Sequence, residues 1–97
     1  MDHFRAFSIY IIMQKLENQI KKNGFNYIQL DRTKKKAIYK VIDEEIYEVF
    51  RIKIRKAEEA FGKFYPDREI YPGTEDFGNF AWCFSVRANA LNRYDNL

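Results

Sequence analysis

One cysteine, one histidine, two prolines and four glycines are spread over 97 residues, and each scarcity removes a class of function. A lone Cys83 excludes an intrachain disulfide and any multi-cysteine zinc site, which fits a reducing compartment. With His3 the only imidazole, no H-E-x-x-H pair exists; with so few glycines, no phosphate-cradling loop or dinucleotide fingerprint can be spelled. A Cys83–His3 pair is the one nucleophilic arrangement left. Cys83 lies inside the apolar run Phe80–Phe84, so a buried, inert thiol is expected instead. The longest apolar stretch, Ala6 to Met13, is far short of the roughly 20 residues a membrane span needs, and it runs into Gln14-Lys15-Leu16-Glu17 without a small-residue cleavage site. The expectation is a cytoplasmic chain, not associated with membranes.

What the chain does have is aromatic side chains: nine Phe, seven Tyr and one Trp. Each can bury a large area, so one unstapled core over residues 1–97 is within reach, and a single compact domain is expected. Charge is distributed unevenly around the net +3. Between Arg32 and Lys56 nine basic residues face four acidic ones; between Tyr65 and Phe84 one faces four. That asymmetry bears on partners, not on fold.

Periodicity points to an α+β fold. Ile9, Ile12, Met13, Leu16 and Ile20 lie on one helical face, so a helix is predicted over Asp2–Asn23, left at Gly24. Phe25–Asp31 and Ala37–Ile42 read as hairpin strands joined by Arg32-Thr33-Lys34-Lys35-Lys36. Ile46–Lys56 reads as the central strand, with Ile46, Phe50, Ile52 and Ile54 inside and Arg51, Lys53 and Arg55 outside; a helix over the same stretch is the competing reading. A turn of helix over Ala57–Phe61, a short strand at Arg68–Tyr71, a strand buried on both faces at Phe80–Phe84 and a final helix from Val86 capped by Ser85 complete the chain. The expected architecture is an N-terminal helix packed on an antiparallel meander of about four to five strands, with a short C-terminal helix.

No catalytic constellation, cofactor motif or metal motif emerges, so the chain is read as not an enzyme. Three functions are carried forward. The first is a small non-catalytic binding or regulatory module acting through protein contacts, self-association as a homodimer included, with Tyr65, Tyr71, Phe77, Phe80 and Trp82 as interface candidates. The same rings could equally complete the core. The second is a nucleic-acid or anion site built from Lys34, Lys35, Lys36, Lys40, Arg51, Lys53 and Arg55, with Tyr39 and Tyr47 as stacking surfaces; the plainer reading is a solvated basic face that resists edge pairing. The third is a metal-dependent hydrolase using Asp67 and Glu69 or Glu75 and Asp76. Pro66-Asp67 resembles the opening of the PD-(D/E)xK nuclease signature, yet no acidic residue here is followed two positions later by lysine.

Overall fold

A computed structural model describes residues 13–97, and it is mostly antiparallel strand. Among the described residues, nine strands run in chain order: β1 (Gln19–Lys22), β2 (Phe25–Arg32), β3 (Lys36–Val41), β4 (Tyr47–Arg51), β5 (Lys53–Arg55), β6 (Glu58–Ala60), β7 (Lys63–Tyr65), β8 (Arg68–Ile70) and β9 (Ala81–Phe84). A 3₁₀ turn covers Thr74–Asp76, and an α-helix, α1, covers Arg87–Asp95. Contacts divide the chain into two units. One comprises Glu17–Lys53 with Tyr71–Leu97; the other, where described, comprises 13–16 with Ile54–Ile70.

The expected N-terminal helix on the sheet is overturned. Its first part, 2–12, lies outside the described residues, but 19–22 is the edge strand β1, alternating exposed and half-buried. The cause is local. Asn23 and Gly24 both hold positive φ, 54° and 83°, which is the tight two-residue hairpin turn that Asn-Gly favours, so β1 folds back on β2 with Ile20 opposite Tyr27.

The larger unit is a five-stranded antiparallel sheet in the order β1-β2-β3-β4-β9, and its middle is buried on both faces. On one face, Ile38 of β3 and Tyr47 and Val49 of β4 pack against Ala90 and Tyr94 of α1. The helical stripe is therefore Ala90 and Tyr94, while Leu91 is exposed. Val86, not Ser85, is the N-cap residue, and it makes no side-chain cap bond. At the other end Lys36 Nζ donates to the Tyr94 carbonyl at 2.6 Å and sits over that ring, placing a cation at the helix C-terminus. On the opposite face, Tyr39 stacks on Phe50 at 5.7 Å, and Tyr71 sets its edge against both, at 5.2 and 4.8 Å. A bulge between Gln29 and Asp31 resets the β2–β3 register and leaves Leu30 exposed.

The central stretch is strand, not helix, but it is broken. β4 ends at Arg51 and β5 begins at Lys53, so the predicted inward row stops at Ile52, and Ile54 is exposed.

The smaller unit holds two two-stranded pairings, β5 with β8 and β6 with β7. Here Gln14 bridges to the β8 end, donating to the Asp67 carbonyl and accepting from the Glu69 N–H. The predicted helical turn at Ala57–Phe61 is instead β6 and the start of a hairpin, because Phe61 and Gly62 both hold positive φ, 51° and 76°.

Candidate functional site

Parity along β4 explains the first site. Glu48 shares a face with Phe50, so its carboxylate is turned inward and only 7% exposed. A buried carboxylate persists only when hydrogen-bonded or paired. Glu48 is both: the Tyr27 hydroxyl donates to Oε2 at 3.2 Å, the Tyr71 hydroxyl donates to Oε1 at 2.7 Å, and Lys22 Nζ lies 3.9 Å from Oε1. Lys22 also sits 4.7 Å over the Tyr71 ring and 5.5 Å from the centre of Phe77. Burial first, and then the Glu48 charge, push the Tyr27 phenol up to about 12 and the Tyr71 phenol further in the same direction. Beside it, Tyr39 accepts from Gln29 and donates to the Glu17 carbonyl at 2.7 Å. The three tyrosine hydroxyls and the Glu48 carboxylate are thus all hydrogen-bonded within this face, and they tie β2, β3 and β4 to Tyr71.

Cys83 stands directly opposite Glu48 in the β4–β9 register. Contrary to the expected buried thiol, it is exposed, because β9 is an edge strand and Cys83 alternates with Trp82 and Phe84. Partial desolvation and the Glu48 charge push its thiol up, away from the reactive thiolate. His3 lies outside the described residues, so the Cys83–His3 pairing is not addressed.

The structure separates the basic candidates. Lys53 Nζ is bound to Asp76 at 3.0 Å and covers the Phe80 ring. Lys40 donates to the Val41 carbonyl and lies 3.8 Å from Glu45; Arg55 lies 4.0 Å from Glu58. Lys36 is held at the end of α1. Lys34, Lys35 and Arg51 remain without a side-chain partner among the described residues. Tyr39 and Tyr47, expected as stacking surfaces for bases, are fully buried.

Of the acidic candidates, Asp76, Asp67 and Glu69 are equally committed, while Glu75 is exposed in the 3₁₀ turn. Asp76 accepts from the Gly73 N–H and from Lys53, and these two bonds hold its carboxyl below the usual carboxylate range. Asp67 accepts from the Ala57 N–H at 2.6 Å with Lys56 3.8 Å away, and Glu69 accepts from the Leu16 N–H. Among the described residues, no three His, Cys, Asp or Glu side chains converge to hold a metal ion. Because the folded Asp76 pKa is depressed, its contribution to stability is present above the unfolded value of 3.8 and is lost as the pH falls below it. In thermal melts, Asp76→Asn should therefore lower Tm at neutral pH, and the gap to the parent chain should close below about pH 4; a gap constant across that range would refute the assignment.

The aromatic interface candidates do not form one patch. Tyr71 is in the Glu48 cluster, Phe77 is half-buried near Lys22, Trp82 lies under the Arg93 guanidinium at 4.5 Å, and Phe80 is exposed beneath Lys53. Tyr65 belongs to the β6–β7 hairpin, and the hairpin is where the exposed rings gather. Phe61 at its tip is 98% exposed, with Phe64 and Tyr65 exposed on β7. Among the described residues, β6 and β7 pair only with each other, leaving both outer edges open.

Sequence reading missed Phe61, Phe64 and Glu48. For Glu48 the signal existed, since it falls on the even row with Ile46 and Phe50. For the hairpin, Phe61-Gly62 could have been read as a turn by analogy with Asn23-Gly24, but phenylalanine is not a turn residue. Compared with known proteins, the chain matches no family model, no curated protein and no solved structure.

Proposed function

We propose that the chain is a non-catalytic binding module working through protein contacts, with the β6–β7 hairpin as its contact element and a second copy of the chain as the partner that it fits. Phe61 carries this reading. A bulky residue in the left-handed region is disfavoured relative to glycine or asparagine, and a phenylalanine ring at 98% exposure is unfavourable again in water. Covering the ring recovers the second cost and can offset the first.

The two edges of the hairpin are not equivalent. An antiparallel two-fold pairing of β6 with β6 would set Glu59 against Glu59, like charges in direct opposition. Pairing β7 with β7, centred on Phe64, sets ring against ring and places Lys63 opposite Tyr65 of the other copy. That is an isologous strand addition, in which backbone hydrogen bonds supply affinity and alternate side chains supply selectivity. A free, exposed Cys83 thiol supports a reducing, cytoplasmic setting.

So small a contact falls under about 1,200 Å² and should give a weak dimer, micromolar or weaker. Sedimentation velocity over a wide concentration range should show a concentration-dependent monomer–dimer exchange that Phe61→Ser and Phe64→Ser each shift at least about ten-fold toward monomer, and that Phe80→Ser leaves alone. A chain that stays monomeric throughout, or a dimer indifferent to both hairpin changes, would sink the proposal.

A further inference from the structure

Where the β2–β3 hairpin passes the end of α1, Thr33, Lys35, Lys36, Arg51 and Leu97 line a cavity of about 240 Å³. Its polar side chains are all donors. The Thr33 hydroxyl oxygen already accepts from the backbone N–H groups of Lys35 and Lys36, at 3.1 and 3.2 Å, so both its lone pairs are taken and only its O–H proton is left to offer. Lys35 and Arg51 have no side-chain partner among the described residues, and no Asp or Glu side chain lines the cavity. Lys36 bridges to the Tyr94 carbonyl, which places a positive charge between the negative end of α1 and the cavity.

The register adds a second, independent observation. Lys36 and Arg51 are direct cross-strand partners, and like charges in that position repel. We propose that this cavity binds a small oxyanion of the phosphate-monoester class, with Arg51 gripping two oxygens through its planar fork, Lys35 and Lys36 supplying charge, and Thr33 donating one hydrogen bond. The volume admits a phosphate group with little attached and no drug-sized ligand. The bound anion neutralises the Lys36–Arg51 repulsion, which couples binding to stability.

The test uses the whole chain and inorganic phosphate at constant ionic strength, and its readouts are independent of hairpin self-association. Amide NMR should show saturable shifts at Thr33, Lys35 and Lys36, weakened at least ten-fold by Arg51→Gln and by Lys35→Gln and unaffected by Lys56→Gln. In thermal melts phosphate should raise Tm of the parent chain, while Arg51→Gln should start from a higher Tm without phosphate and gain nothing from it. Shifts that remain linear or are matched by chloride, undiminished affinity in Arg51→Gln, or retention of a single-stranded oligonucleotide with no response to phosphate would each overturn the assignment.

Discussion

Glu48→Ala should cost about 3–5 kcal/mol, a large share of the roughly 5–15 kcal/mol that holds a domain of this size together. The loss does not come from one bond. Removing the carboxylate leaves the Tyr27 and Tyr71 hydroxyls without their acceptor and Lys22 without its counter-ion, and a buried donor without an acceptor costs about 1–3 kcal/mol by itself. Glu48→Gln keeps an acceptor in place and removes only the charge, so its loss should be about half as large. Urea titration of the three proteins measures the series, and equal stability for parent and Glu48→Ala would mean that the cluster carries no energy.

The same cluster sets an alkaline limit. Tyr27 is held up to about 12 and Tyr71 is raised further, so the folded phenols stay protonated while those of the unfolded chain ionise near 10.0. The unfolded state then binds fewer protons than the native state, and stability, fully present below pH 10, falls as the pH rises toward 12. In Glu48→Gln the carboxylate's share of that upward push is gone, and the alkaline limb should flatten. The thiol of Cys83, freed of the same neighbouring charge, should react faster with a disulfide reagent.

How much of this was legible beforehand differs from one stretch to the next. β2 and β3 were readable, because alternation and β-branched density leave few alternatives over eight and six residues, whereas the five residues of β4 fit a helical face as well as a strand. Gly24 ends an element under either reading, because a helix C-terminus and a two-residue hairpin both favour a residue at positive φ there. The discriminating residue was Asn23, which suits the first turn position of a hairpin, while Ile20 satisfies a helical face and a strand face equally well. Basic residues were legible as a group and not as a surface. Whether Lys53 is free or tied to Asp76 depends on a contact 23 residues away along the chain, which no local pattern contains. Arg51 and Lys36 come together only through the β3–β4 register, so the oxyanion cavity is a property of pairing, not of composition.

Two phenylalanines eleven positions apart should respond with opposite sign. Phe50 is fully buried in β4, stacked on Tyr39 and met edge-on by Tyr71, with Ala37 and Ala81 as its cross-strand partners. Phe50→Ala removes the ring from the middle of that stack, where small neighbours cannot close the gap, and should cost about 3–5 kcal/mol. Phe50→Leu, which restores much of the volume but not the aromatic contacts, should recover more than half of it. Phe61 has no such partners: it is exposed at the hairpin tip, in a backbone conformation that suits asparagine. Phe61→Asn should therefore raise the stability of the monomer by up to about 1 kcal/mol while weakening self-association. Chemical denaturation at a concentration where the chain is monomeric separates the two effects. If Phe61→Asn instead destabilised the monomer, the ring would be packing inside its own chain, and the hairpin would lose its standing as a contact element.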